Sequence, residues 1–106
     1  MAGTLLGTRA LDMLDEVYHA VCDVGKTSTL IVGVNPNRRY LLIINDSDET
    51  IYIAHGEPAQ LNRGVRIEKN GGREEYSLSR ANLCQHPIYA IQSKNTPKRL
   101  LVTEGT

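Results

Sequence analysis

The chain has 106 residues, 41% of them hydrophobic, and twelve basic residues balance twelve acidic ones to a formal charge of zero. This length suits one domain with a core of ordinary size, and the charge balance removes the broad attraction that draws basic proteins to nucleic acids or anionic membranes. No apolar run approaches the roughly 20 residues of a membrane-spanning helix, and the N-terminus lacks the basic start and apolar core of an export signal.

The N-terminal segment, residues 1–18, is the only part of the sequence whose apolar residues recur at helical spacing. Leu11, Leu14 and Tyr18 form a narrow apolar stripe at this spacing, and Leu5 and Leu6 add an apolar pair before it. A helix this short is marginal without a partner surface, so the sequence predicts an assembly arm or short helix. We favour packing on a neighbouring copy or a shell over packing on the chain's own sheet. From Val17 onward an alternating pattern competes with the helix and favours a strand.

After this segment, short β-favouring runs alternate with turn signals. Residues 40–44 are almost wholly apolar and should form a central strand covered on both faces, followed by a hairpin partner at 50–55. Further strands are predicted from 17 onward, at 27–34, as a second hairpin on both sides of Asn70-Gly71-Gly72, at 86–92 and at 99–104. Seven or eight strands without a long helix predict an all-β domain over residues 19–106. It should be an antiparallel β-sandwich or a flattened, jelly-roll-like barrel.

One apolar face of each strand should build the layer between the two sheets. The residues predicted for this layer are Leu42, Ile44, Ile51, Ile53, Ile67, Leu78, Ile91, Leu100 and Val102. An unpaired carboxylate in such a layer is strongly unfavourable, so Ile44→Asp is expected to unfold the domain.

No motif has the spacing of a catalytic, metal or cofactor site. The three histidines are scattered, and Cys84-Gln85-His86 offers two of the four ligands that structural zinc needs. Gly25-Lys26-Thr27 resembles the end of a phosphate-binding loop, but Ala20 stands where that motif needs a glycine. Cys22 and Cys84 lack CxxC spacing, which favours free thiols, although composition leaves one bridge open. The sequence therefore predicts no enzymatic activity, metal or cofactor.

Two arginines, Arg38 and Arg39, precede the central strand on a turn. An arginine here can fork onto a carboxylate or carbonyl of a neighbouring subunit or shell. The alternative is a pair of solvated charges that keeps a strand end soluble. We predict both arginines as partner contacts, together with the apolar residues of the arm.

The stretch VNPNRRYLLIINDSDETIYIAHG, with the later segments HPIYAIQS and LLVTEG, resembles small β-sandwich virion structural proteins of tailed bacteriophages. The resemblance covers residues 28–104. It is carried by Asn35, Arg38, Arg39, Asn45, Ser47, Ile51, Tyr52, Gly56, Ile88, Tyr89 and Ala90. Such proteins serve as capsid decoration, head-fibre or tail accessory components and are usually oligomeric.

The resemblance implies a non-enzymatic virion protein, assembled in the host cytoplasm, that decorates and stabilises the head shell. Its partners would be other copies of itself, as in a trimer, and the major capsid protein or another virion component. The alternative is a host-receptor or glycan-binding module of a head or tail fibre, using loops such as 57–64. A cupin-like enzyme would need clustered metal ligands, which the sequence does not show.

Overall fold

The structure, a computed structural model, describes residues 13–106. These residues form eight β-strands and no helix. The strands are β1 (Val17–Val24), β2 (Thr29–Val32), β3 (Tyr40–Asn45), β4 (Ile51–His55), β5 (Val65–Ile67), β6 (Arg73–Ser77), β7 (Ile88–Ile91) and β8 (Lys98–Gly105). Sheet A has the order β1-β8-β3-β6, and sheet B has the order β2-β7-β4-β5. All pairings are antiparallel and the two sheets pack together, which confirms the predicted all-β sandwich.

The connections between strands differ from the prediction. Among the described strands, only β4 and β5 are consecutive and lie in the same sheet; every other connection crosses between sheets as a β-arch. The hairpins predicted for β3 with β4 and for β5 with β6 are therefore wrong. A hairpin and an arch share the same alternation of apolar residues and the same polar turn residues. The local pattern cannot distinguish a partner beside a strand from one across the core.

Two of these arches, 46–50 and 68–72, lie side by side at one end of the sandwich. Asn70 N–H donates to Ser47 O at 2.7 Å, and Gly71 N–H donates to Asn45 O at 2.8 Å. Asn70 and Gly71 have φ angles of 60° and 102°, the left-handed region that these two residue types tolerate best. A Cβ on Gly72 would collide with the backbone of Glu68. The Asn-Gly-Gly signal thus marks a real turn, but between sheets.

The layer between the sheets is filled by buried aliphatic side chains from both. Five predicted residues are in it: Ile51, Ile53, Ile67, Leu100 and Val102. The other predicted members, Leu42, Ile44, Leu78 and Ile91, are not in the buried core, and that part of the prediction is wrong. Their places are taken mainly by Leu41, Ile43, Tyr76, Ile88 and Ala90.

The errors in the core come from strands that are apolar on both faces. Ile43 pairs with the buried Val102, so Ile43 faces the core, and Leu42 and Ile44 lie on the opposite face of sheet A, half-buried. Alternation along β3 fits either orientation equally well. Leu78 fails for another reason: it follows the last residue of β6 and is 37% exposed.

The first strand begins at Val17, two residues before the predicted domain boundary. It pairs with β8 along its whole length, from Val17 opposite Gly105 to Val24 opposite Lys98. Two further hydrogen bonds extend this pairing, from Asp15 N–H to Thr106 O at 2.8 Å and from Thr106 N–H to Glu16 O at 3.0 Å. Residues 15–18 are therefore attached to the sandwich.

Candidate functional site

Arg38 is completely buried, and its guanidinium is bound within its own chain. Nε donates to Glu104 Oε2 at 2.7 Å. Nη1 donates to the carbonyls of Cys84 at 2.7 Å and His86 at 3.1 Å. Nη2 donates to Gly33 O at 2.6 Å. These residues, which we call the Arg38 cluster, join the segments around β2, β3, β7 and β8.

The Arg38 cluster changes the interpretation of this arginine. Glu104 supplies the opposite charge, and Asn35 Nδ2 donates to the same Oε2 at 3.2 Å. A buried guanidinium is tolerated where a carboxylate and several carbonyls satisfy its donors. Arg38 is thus a fork onto a carboxylate and carbonyls, as predicted for its chemistry, but those groups belong to its own chain. The predicted contact with a partner and the alternative of a solvated charge are both wrong for Arg38.

Arg39 lies at the surface beside this cluster and is half-buried. The backbone N–H of Arg39 donates to Gly105 O at 2.8 Å. Its side chain lines an open cleft of about 500 Å³ together with Pro36, Leu83 and Gln85. Contact of Arg39 with a partner stays a prediction.

His55 and Tyr76 face each other across the sandwich near the Arg38 cluster. His55 Nε2 lies 3.1 Å from the Tyr76 hydroxyl, and the two rings meet edge to face with centroids 5.3 Å apart. Burial lowers the pKa of His55, and the nearby His86 and Arg38 charges lower it further. Burial also raises the pKa of Tyr76 to about 12. His55 Nδ1 has no hydrogen-bond partner among residues 13–106.

The two cysteines are free thiols. Cys22 donates to Ile31 O at 3.6 Å, and burial followed by the neighbouring Asp23 charge raises the pKa of its thiol. A raised thiol pKa lowers the thiolate fraction, which is the reactive form. Cys22 therefore has the character of a packing residue.

The outer face of sheet A is the side turned away from the core, and it carries many apolar side chains. The pairing of β1, β8 and β3 places on it Val17, His19, Val21, Tyr40, Leu42, Ile44, Leu101 and Thr103. Val17 is 51% exposed and Val21 is 66% exposed. A shallow hollow of about 240 Å³ opens between β1 and β3 at His19, Val21, Ile44 and Leu101.

Leu14, which precedes β1, contacts one end of this outer face. Leu14 packs on Gly105, where a Cβ would collide with the leucine side chain. Leu14 also lines a neighbouring hollow with Tyr40 and Arg80. Tyr18 belongs to β1 and is 67% exposed, so it does not continue a helical stripe. The other predicted arm residues, Leu5, Leu6 and Leu11, lie outside the described residues.

The outer face of sheet B carries a smaller apolar group. Leu30 pairs with Tyr89, and Tyr52 pairs with Ile91, so these four side chains share that face. The Tyr52 hydroxyl donates to Asn62 Oδ1 at 2.8 Å. Tyr52 and Tyr89 are half-buried on this outer face, whereas Tyr76 is buried in the core.

Two buried polar side chains were missed from the sequence. Asn45 Nδ2 donates to the carbonyls of Glu49 and Ile67, and its Oδ1 accepts from the Ser47 hydroxyl. Gln92 Nε2 donates to Val24 O and two nearby carbonyls, and its Oε1 accepts from Lys94 N–H at 2.6 Å. Each residue stands directly at the end of an apolar strand, before a turn. That position is the signal that could have identified them as bracing residues.

Within residues 13–106, no group of three or more histidine, cysteine or acidic side chains is placed to hold a metal ion. No helix in this range is long and apolar enough to cross a membrane. A scan against protein-family models, a search of curated proteins and a search of solved structures each found no match. What the chain does is therefore inferred from its residues and their geometry.

Proposed function

We propose that the chain is a non-enzymatic structural protein of a phage virion, a decoration protein that binds and stabilises the head shell as a homo-oligomer. The observation that carries this proposal is the outer face of sheet A. Its half-exposed apolar row of Leu42, Ile44 and Leu101 begins beside Leu14, where the N-terminal segment meets the sheet. Contiguous apolar surface of this kind is typical of association sites.

We propose that the N-terminal segment adds apolar residues to this contact. Residues 1–12 contain Leu5, Leu6 and Leu11 and, fully extended, reach up to about 40 Å. That reach exceeds the length of β3, roughly 20 Å for its six residues. Residues 1–12 and the outer face of sheet A together therefore offer apolar residues for contact with another protein. The major capsid protein is the proposed partner.

The interior of the sandwich suits a rigid structural subunit. The Arg38 cluster, Asn45 and Gln92 connect loops of the two sheets through buried hydrogen bonds. Buried networks whose donors are satisfied make a fold rigid. A rigid subunit keeps its binding surface in one arrangement, which reduces the entropy lost on docking.

The proposal is tested by cosedimentation with empty heads from a panel of tailed phages that have been stripped of their own decoration proteins. Wild-type protein should bind at least one shell to saturation. The double variant Leu42→Thr, Ile44→Thr keeps β-favouring residues but removes apolar contact from the outer face of sheet A, so its affinity should fall at least about tenfold. The matched control is Leu30→Thr, Ile91→Thr on the outer face of sheet B, which should bind like wild type.

A chain that begins at Met13 tests the arm separately. It keeps every described strand, so its β-type circular dichroism and cooperative melting should match those of the full chain. Its shell binding should be weaker. Loss of folding would place residues 1–12 in the core, and unchanged binding would remove the arm from the proposal. A wild-type chain that binds no shell in the panel would overturn the function itself.

A glycan-binding role is the second candidate, and the outer face of sheet B favours it. Tyr52 and Tyr89 lie diagonally across β4 and β7, and aromatic faces are common platforms for ring-shaped ligands. A glycan array separates the two functions. Specific array signals that disappear in Tyr89→Ala, without any shell binding, would favour the receptor-binding module over decoration.

A further inference from the structure

The described sandwich has four edge strands, and three of them carry features that discourage pairing with another chain. β5 has three residues. β2 has four, with a register shift between Leu30 and Val32. β6 presents the charged run Arg73, Glu74 and Glu75. Short length, irregular register and charge are the usual protection of a sheet edge.

β1 is the exception. It runs for eight residues with the sequence VYHAVCDV, contains no proline, glycine or lysine, and has one acidic residue, Asp23. Its register with β8 is unbroken. A long, regular and largely apolar edge strand is a template for strand addition.

The free backbone groups of β1 can be assigned from the ladder. Thr106 N–H donates to Glu16 O, and antiparallel hydrogen bonding alternates along a strand, so the even-numbered residues of β1 bond to β8. Val17, His19, Val21 and Asp23 then direct their N–H and C=O groups toward the free edge. Their side chains lie on the outer face of sheet A, where Val17 and Val21 are more than half exposed.

We propose that β1 pairs antiparallel with β1 of a second copy about a twofold axis at Val21, which joins two copies of sheet A into one eight-stranded sheet. This inference rests on the proposed function in one respect, the association of copies, and it names the surface that joins them. The twofold symmetry makes the contact self-complementary and closed.

Side-chain complementarity selects this register. Residues paired across antiparallel strands point to the same face, so the axis falls on a residue. An axis at Val21 sets His19 opposite Asp23 of the partner subunit and Val21 against its own copy. An axis at Ala20 would set Val17 opposite the carboxylate of Asp23, and an axis at His19 would set two histidines together. The first register alone matches apolar with apolar and donor with acceptor.

The ring of His19 is held at one nitrogen by its own sheet. His19 Nδ1 lies 2.8 Å from Thr103 Oγ1 on the neighbouring strand, which leaves Nε2 to meet a carboxylate. Asp23 forms no ion pair with the described residues. Arg99, which stands opposite Asp23 on β8, is paired with Asp46.

Sedimentation velocity over a concentration series tests the proposal. The wild-type chain should reach twice its 11.7 kDa mass. Val21→Lys should shift the dissociation constant upward by at least about tenfold, because lysine on an edge strand opposes pairing. Val34→Lys, at a valine outside β1 whose exposure of 69% is close to the 66% of Val21, should leave the mass unchanged. A wild-type chain that stays monomeric, or an oligomer indifferent to Val21→Lys, would overturn the proposal.

A crosslink tests the register independently. Hydrogen-bonded pairs bring Cα atoms to about 5.5 Å, within the range of a disulfide, so Val21→Cys should give a covalent dimer under mild oxidation. The wild-type chain and the control Val34→Cys, at an exposed valine outside β1, should not. Shell binding is measured on the same samples. A crosslinked dimer without shell binding would defeat the decoration function and leave the interface standing, whereas shell binding by a chain that does not crosslink would do the reverse.

Discussion

The two faces of sheet A are made of similar side chains but have different surroundings. On β3, Leu41 and Ile43 are buried between the sheets, and Leu42 and Ile44 lie on the outer face, half-buried. The inner face is closed by sheet B, while among the described residues the outer face receives Leu14 at one end. Apolar character alone therefore does not identify the core. The core is the face for which the same chain supplies a second sheet.

The largest expected difference between the two faces comes from placing a charge on each face of β3 in turn. Ile43→Asp puts an unpaired carboxylate among fully buried side chains, and we expect a loss of about 4 kcal/mol or more, enough to prevent folding. The sequence alone predicts unfolding by Ile44→Asp, but the structure places Ile44 on the half-buried outer face, where the carboxylate can reach water, so we expect a loss of about 1 kcal/mol. Urea titration followed by circular dichroism measures both. Unfolding by Ile44→Asp together with tolerance of Ile43→Asp would reverse the assignment of the faces.

The stability of the folded chain should also depend on the buried charge of Arg38. Arg38→Ala would leave the Glu104 carboxylate and several carbonyls without their donor, and we expect a loss of about 3 to 5 kcal/mol. Arg66→Ala removes an exposed ion pair with Glu68 and should change the free energy of unfolding by no more than about 0.5 kcal/mol. Equal urea midpoints for the two variants would contradict the structural role of Arg38.

Asn45 provides a smaller test at the other end of β3. Asn45→Ala would leave the carbonyls of Glu49 and Ile67 unpaired inside the two arches, which should cost about 1 to 3 kcal/mol. Asn95→Ala, whose Oδ1 accepts from the exposed Lys26, is the control and should be close to neutral. A thermal melt of each variant decides whether the arches depend on this amide.

The smallest expected effect is a pH dependence at His55. Its pKa is lowered in the folded state from the ordinary 6.5, so the unfolded chain binds this proton more readily. Stability contributed by neutral His55 is present above about pH 6.5 and is lost as the pH falls toward the folded-state pKa. His55→Gln should therefore lose less stability than wild type between about pH 7.5 and pH 5. An equal loss of stability in the wild type and in His55→Gln over this pH range would contradict the prediction.

Much of the architecture could be predicted because alternation and turn residues are local. Val65 and Ile67, or Leu100 and Val102, show one apolar face each, and the structure confirms both pairs of positions as strand residues. The pairing partners could not be predicted. The Asn-Gly-Gly turn fits a hairpin or an arch, and only contacts distant in sequence, such as Gly71 N–H to Asn45 O, decide between them.

The candidate site shows the same limit of local information. Arg38 and Arg39 are identical in type and adjacent in the chain, yet one is buried and the other lies at the surface. What buries Arg38 is Glu104 and the carbonyls of Cys84 and His86, which are 46 to 66 residues away. The residues that neighbour Arg38 in the sequence do not indicate these distant partners. The exposed edge of β1, by contrast, follows from topology once the strand order is known.

That strand order also bears on synthesis. β8 is the last of the eight described strands in sequence order, and it lies between β1 and β3. During translation, β1 therefore gains its described neighbour in the sheet only after β8 has left the ribosome, and closure over so long a separation is slow. A premature stop or a proteolytic cut before Lys98 would divide the sheet rather than shorten it. Copies that lack β8 would then fail to fold, so only chains that include this strand could enter the proposed assembly.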